Sequence, residues 1–133
     1  MADKKSLPFA ILKILMEYTD ESHLLSTTEI KTILEKEYGL QLERRTLYAT
    51  VELLKQFGYK IGTWHENGIG YYLKEHQFSL IEAFYLCDEI QQCNNLSTKR
   101  KKILKNKILS TLSKYQVKEY MEESAALNRD LPA

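Results

Sequence analysis

The side chains best suited to covalent or metal chemistry are few and scattered. Cys87 and Cys93 lie six residues apart in a segment with helical periodicity, so their side chains point about 120° away from each other and cannot readily bridge. His23, His65 and His76 stand far apart, and no CxxC or HxxxH spacing accompanies them. A zinc site needs paired ligands at short spacing, so no metal is expected. There is no GxSxG elbow, no Cys and His pair in a shared context, and no carboxylate pair in a loop setting. Gly68 and Gly70 form a GxG, but a strand pattern follows it rather than a helix, which favours a hairpin turn over a phosphate cradle. The expectation is a protein without catalytic residues, metal or cofactor, and not an enzyme.

The residues around Arg44 and Arg45 fit a different chemistry. From Glu43 to Phe57 the apolar residues Leu47, Val51, Leu54 and Phe57 recur at helical spacing. Turning that stripe inward sends Arg45, Tyr48, Ala49, Glu52 and Gln56 outward, with Arg44 and Thr46 on the flanks. A guanidinium near the front of an exposed helix can bond two acceptors on guanine, and a hydroxyl can reach phosphate, so this face suits the major groove of duplex DNA. Arg44, Arg45, Thr46 and Tyr48 are therefore the leading candidates. Thr28, near the start of the preceding helix, is included with them. Glu52 lies two turns in, where it can fence the groove or accept from cytosine. Further along, Lys60, His65 and Asn67 are candidates for the phosphate backbone or minor groove, and Trp64 is expected in the core. Residues 99 to 118 hold eight basic residues and no acidic one. Lys101, Lys102 and Lys105 in that run are possible phosphate contacts, or else the wet face of a helix.

The elements that position these residues follow from local signals. Ser6 and Pro8 open a helix running to about Tyr18, with Phe9, Ile11, Leu12, Ile14 and Leu15 covering a wide face. Ser26 and Glu29 form a capping box, flanked by the staple pair Leu25 and Ile30. The second helix turns Ile30, Ile33, Leu34 and Tyr38 inward and stops at Gly39. The third follows after a tight turn and lacks a good cap. Aromatic and β-branched runs at 59–65 and 69–74 then flank Asn67-Gly68, the strongest short-range hairpin signal. Helix, helix, turn, helix and hairpin make the order of a winged helix-turn-helix.

Residues 79–94 read as a further helix, apolar most of the way round, and 97–115 as another with Leu104, Ile108, Thr111, Leu112 and Tyr115 on one stripe. The first needs cover on two sides, so the pair is expected to build a homodimer interface. The final residues, from 119 to 133, have no packing stripe and are expected to be flexible. The fold class is thus mainly α with a small β-hairpin: a winged helix-turn-helix over 1–75, a helical linker or dimerisation hairpin over 76–118, and a tail.

Length and composition agree with this scale. The 133 residues suit one domain or a small domain with an appendage, and 44% hydrophobic with 28% charged residues suits a folded core. Nineteen Lys and Arg against eighteen Asp and Glu leave +1, so any basic surface must arise from uneven distribution. No stretch approaches the roughly 18 apolar residues of a membrane span, and no leader pattern opens the chain, which gives the expectation of a cytoplasmic protein without a membrane partner.

The succession EIKTILEKEYGLQLERRTLYATVELLKQFGYKI, then GYYL at 70–73, then HQFSLIEAFYLCDEI, resembles the N-terminal part of WYL-domain transcriptional regulators of bacteria and their phages, over about residues 7 to 118. The resemblance implies a winged helix-turn-helix that binds operator DNA, followed by a helical linker, with contacts by Arg44, Arg45, Thr46 and Tyr48. The ligand-sensing WYL domain itself does not fit within the chain. The sequence departs from the family at Ala49 and Thr50, where Arg and Asp often follow the tyrosine, so the groove face lacks one arginine. The expected function is a dimeric, sequence-specific DNA-binding regulator. The rival is a protein-binding winged-helix module, such as a phage-encoded inhibitor of a host protein complex, since fold alone does not determine function.

Overall fold

The computed structural model describes residues 4–130, with side chains described as far as residue 126. The chain is mainly helical with one small antiparallel strand pair. It divides into two compact units that meet at Glu75 and His76.

The first unit opens with a 3-10 turn at Lys4–Ser6 and helix α1 at Leu7–Tyr18, where Pro8 occupies the first turn and gives up no intrahelical bond. Leu7, Ala10, Ile11, Ile14 and Leu15 are buried. Phe9 is not: it stands 72% exposed, on the opposite side of the helix from Ile11 and Ile14, so the buried face is narrower than the sequence predicts. Helix α2, Thr27–Tyr38, starts at the Ser26 capping box, in which Glu29 N donates to Ser26 Oγ at 3.1 Å and Ser26 N donates to the Glu29 carboxylate at 3.0 Å. Leu25 and Ile30, the staple pair, are both buried in the core. At its far end the Gly39 N–H closes the last turn onto Glu35 and Leu34 carbonyls. Close by, the Tyr18 hydroxyl donates to Glu37, an anionic acceptor that pushes the phenol up to about 12.

Helix α3, Arg44–Gln56, buries Leu47, Thr50, Val51 and Leu54 against α1 and α2. Each large aliphatic side chain fully removed from water contributes roughly 1.5–3 kcal/mol, and Ile11, Ile14, Leu15, Ile30, Leu34, Leu47 and Ile61 are all at or near zero exposure. Phe57, expected on this stripe, is 77% exposed. It follows the last helical turn, where the chain leaves the periodicity that would have turned it inward.

The segment after α3 differs from the expected hairpin. The strands are only β1, Ile61–Gly62, and β2, Tyr72–Leu73, paired as Ile61 with Leu73 and Gly62 with Tyr72. Between them the chain forms a four-residue helix α4, Trp64–Asn67, closed by Gly68 at φ 70°. Asn67-Gly68 therefore ends a helical turn and does not make a two-residue hairpin loop. The reason is local: Asn67 Oδ1 accepts from the amides of Ile69 at 2.7 Å and Gly70 at 2.9 Å, and its Nδ2 donates back to the Gly70 carbonyl at 3.0 Å. An asparagine bonded to its own following amides competes directly with a strand ladder. Trp64 is 50% exposed on this turn, not in the core.

The returning chain is anchored against the rest of the unit. Leu25 and Tyr71 exchange backbone hydrogen bonds at 2.9 and 2.7 Å. Leu73 N donates at 2.9 Å to the buried Thr19 hydroxyl, which itself donates to the Leu15 carbonyl at 2.5 Å. Gly70 sits where this crossing is tightest: a Cβ there would lie 2.4 Å from the Leu25 carbonyl oxygen.

In the second unit, α5 (Leu80–Gln92) starts at another reciprocal box, Ser79 with Glu82. Helix α6 covers Thr98–Leu109 and α7 Lys114–Asp130. The single helix expected over 97–115 is thus broken at 110–113. Ser113 and Gln116 explain the break, because Gln116 N donates to Ser113 Oγ and Ser113 N to Gln116 Oε1, both at 3.1 Å, which is a new helix start. The segment expected as a flexible tail is helical from 119 to 130, with Tyr120 stacked on Phe84 at 4.8 Å between centroids. Ala83, Cys87, Leu109 and Leu112 form the small core, and burial pushes the Cys87 thiol up. Both cysteines are free. No helix among the described residues is long and apolar enough to cross a membrane.

Gly70→Ala is expected to destabilise the first unit by about 1–3 kcal/mol, the usual cost of overpacking against backbone that cannot yield. Urea unfolding of the variant beside wild type measures it, and an unchanged midpoint would show that the Leu25 crossing has slack.

Candidate nucleic-acid interface

The surface of α3 is determined by what it buries. With Leu47, Thr50, Val51 and Leu54 inward, the exposed line runs through Arg45, Ala49, Glu52 and Gln56 at i, i+4, i+7 and i+11. Arg44 and Thr46 are exposed beside Arg45 in the first turn. Glu43 precedes them without a side-chain cap bond, so the first amides of α3 keep their positive end open to solvent. Two arginines and a hydroxyl at an uncapped helix start make a local positive site on a unit that is otherwise not basic. Residues 1–75 hold ten Lys and Arg against eleven Asp and Glu, a net charge of −1.

Which cations are available depends on their partners. Lys74 and Lys55 both reach the Glu66 carboxylate, at 3.2 and 3.7 Å, and Lys55 also reaches Glu52 at 3.7 Å. Lys60 pairs with Glu75 at 3.2 Å. The Lys74 hydrogen bond, more than any other contact, holds the Glu66 carboxyl below the usual glutamate range. Arg44 and Arg45 enter no ion pair among the described residues. The paired lysines must break a contact before they meet phosphate; the arginines need not.

Glu66 has a second effect. Through Lys55 it holds the α4 turn against the side of α3, and Tyr48 and His65 complete the contact edge-on at 4.9 Å between ring centroids. His65 in turn meets Trp64 edge-on at 5.5 Å between ring centroids. Tyr48 is half-buried against the core, so only part of it is offered outward. Beneath it Tyr71 is buried with its hydroxyl in no hydrogen bond of normal length, and burial pushes that phenol up.

Of the residues singled out in the sequence, the structure brings Arg44, Arg45, Thr46, Tyr48, Glu52 and His65 onto α3 and the turn beside it. Thr28 is exposed in the first turn of α2. Asn67 is committed to its own turn and Lys60 to Glu75. Lys101 and Lys105 belong to α6 of the second unit, where Lys101 Nζ donates to the Gln91 carbonyl at 2.8 Å and Lys105 Nζ to the Gln91 side chain at 2.6 Å. They close the C-terminal end of α5, a favourable place for cations, whereas Lys102 is exposed. The Lys55, Glu66 and Lys74 cluster was not visible in the sequence, because its members are 8 and 11 residues apart across an irregular turn.

No family model, no curated protein and no solved structure matches this chain. The resemblance to WYL-domain regulators rests on the motifs themselves. Among the described residues no group of three or more His, Cys, Asp or Glu side chains gathers as a metal site would.

Because the Glu66 carboxyl is depressed in the folded protein, its pairing is present above the ordinary glutamate range and is lost as pH falls through the lowered folded value. Glu66→Gln should therefore speed amide exchange over 64–70 at neutral pH and weaken the acid dependence of that exchange. Hydrogen exchange by NMR checks this, and equal rates in both proteins would assign the turn's order to Asn67 alone.

Proposed function

We propose that the chain is a winged-helix transcriptional regulator that binds duplex DNA in the cytoplasm, with α3 in the major groove and the segment 61–73 against the flanking backbone. The observation that carries this reading is Arg44 and Arg45 on the exposed, uncapped first turn of α3, in no ion pair among the described residues, whereas Lys55, Lys60 and Lys74 are each paired with a carboxylate. The order of α1, α2, α3 and the strand pair supports the winged-helix identity, and so do the RRTLY and GYYL motifs. In this reading Arg45 reads a base edge, Thr46 and Arg44 meet phosphate, and Glu52 limits which bases are accepted two turns in. The α4 turn presents Trp64 and His65 at the duplex instead of a flat two-strand tip.

A net charge of −1 over the first unit implies little long-range attraction. Few phosphates are neutralised, so the total log–log slope of affinity against salt, about −0.9 for each phosphate contact, is shallow. Specific contacts must then supply most of the discrimination.

One observation favours a second reading, a protein-binding module. Leu53 and Phe57 are exposed one turn apart on the flank of α3 away from Tyr48, and exposed apolar side chains at that spacing suit a partner helix.

The deciding experiment is capture of sheared source-genome DNA by the whole protein at near-physiological salt, with Arg44→Ala/Arg45→Ala as control. Enrichment of a few sites by wild type and not by the control is expected. Absence of enrichment in both overturns the DNA reading and leaves the Leu53 and Phe57 flank as the place to look. On a captured site, Arg45→Ala alone should cost about 1–3 kcal/mol and relax one base position. Equal losses on specific and random duplexes, by fluorescence anisotropy, would reduce Arg45 to a phosphate contact.

A further inference from the structure

The second unit carries two exposed faces of opposite character. Helices α5 and α6 run antiparallel, since Gln91 near the end of α5 meets Lys101 in the first turn of α6 and Lys105 one turn on, while Ala83 and Cys87 share a cluster with Leu109 at the end of α6. Their inner faces are satisfied by that packing. On the outer side of α5, Ile81 is 81% and Tyr85 68% exposed, with Asp88 and Glu89 exposed one turn further on. Helix α5 contains three acidic residues and no basic one. On the outer side of α6, Lys99, Ile103 and Lys107 follow at i, i+4 and i+8, with Arg100 and Leu104 beside them, all exposed. Helix α6 contains six basic residues and no acidic one. None of these charges forms an ion pair among the described residues.

We infer that these two faces are the halves of one self-complementary interface, and that the occupant of each is a second copy of this chain. A two-fold axis lays α5 of one protomer on α6 of its partner and, by symmetry, α6 on α5. Ile81 and Tyr85 then pack against Ile103 and Leu104, while Asp88 and Glu89 meet lysines of the partner's α6. Both faces lose their exposed apolar area and their unbalanced charge in one step. A nucleic acid would neutralise α6 alone and leave Ile81 and Tyr85 in water, repelled from the duplex by the acidic residues of α5. Charge complementarity of this kind also selects the register, because α5 on α5 or α6 on α6 places like charges together. The inference is independent of the DNA reading, since it is measured without nucleic acid.

Sedimentation velocity of the whole chain, from low micromolar to several hundred micromolar, should show a monomer–dimer equilibrium that weakens as salt rises. Asp88→Lys/Glu89→Lys and Lys99→Glu/Lys107→Glu should each weaken self-association by at least about tenfold. An equimolar mixture of the two variants should dimerise again, because the lysines introduced at positions 88 and 89 of one face the glutamates introduced at 99 and 107 of the other, while the second contact keeps its wild-type charges. The fourfold variant carrying all these changes should also dimerise, which an unfolded chain would not do, and far-UV circular dichroism confirms that the helices persist. A wild type that stays monomeric throughout, variants that associate like wild type, or a mixture that stays monomeric would each overturn the inference. So would a monomeric wild type whose duplex binding is lost in Lys99→Glu/Lys107→Glu, which would assign the α6 face to nucleic acid.

Discussion

The first unit depends on one close crossing of backbone over backbone, where the chain at Gly70 and Tyr71 passes the start of α2 at Leu25. Two hydrogen bonds join Leu25 to Tyr71, and no side chain fits between. One residue pair on, the Thr19 hydroxyl carries the same strand to the last turn of α1. The ends of α1, α2 and β2 are thus joined within a few residues. Helix α3 lies across the core that these elements enclose, and what it exposes follows from what that core accepts. The side of Gly62 facing its neighbour obeys the same logic, since the Tyr72 ring occupies the space where a Cβ would stand. A bare backbone at one position and a ring laid over it at the next let so short a sheet hold its register.

Around the end of α3 and the strand pair, charge is arranged by pairing. Three lysines near α3 are held by carboxylates, and one of those, Glu66, also keeps the α4 turn in place. Arg44 and Arg45 are left as a small cationic spot at the start of α3. Such a spot exerts a field over a few ångströms, so it favours contact once two molecules have met and contributes little to bringing them together. Helices α5 and α6 of the second unit are arranged in the opposite way, with acidic residues alone on one and basic residues alone on the other.

Much of the fold was legible because its signals are local. The Ser26 and Glu29 box, the Gly39 stop and the inward residues Ile30, Leu34, Leu47, Val51 and Leu54 all follow from spacing alone and appear as read. Phe9 and Phe57 do not, because periodicity at the ends of a helix says nothing of how far the core extends. Asn67-Gly68 reads in sequence as a hairpin loop but closes a helical turn, because the Asn67 side chain accepts from two amides and donates to one carbonyl there. The break at 110–113 was encoded in Ser113 and Gln116, yet a run of lysines and leucines at helical spacing continues straight through it. For the candidate site, the exposure of Arg44, Arg45 and Thr46 was readable from the helix period. The pairing of Lys55, Lys60 and Lys74 with Glu66 and Glu75 was not, since it spans gaps that no periodicity covers.

Three helices here begin in the same way, with a serine whose hydroxyl and amide are both answered by the residue three places on: Ser26 with Glu29, Ser79 with Glu82, Ser113 with Gln116. Each start is therefore defined by four consecutive residues and needs no distant partner. During synthesis α2, α5 and α7 can take their first turn in the correct frame as soon as that tetrapeptide has emerged, before the core exists to correct them. Helix α3, whose start carries no such mark, must wait for Leu47 and Val51 to find α1. The element that bears the candidate interface thus takes its first turn from packing and not from a local cap.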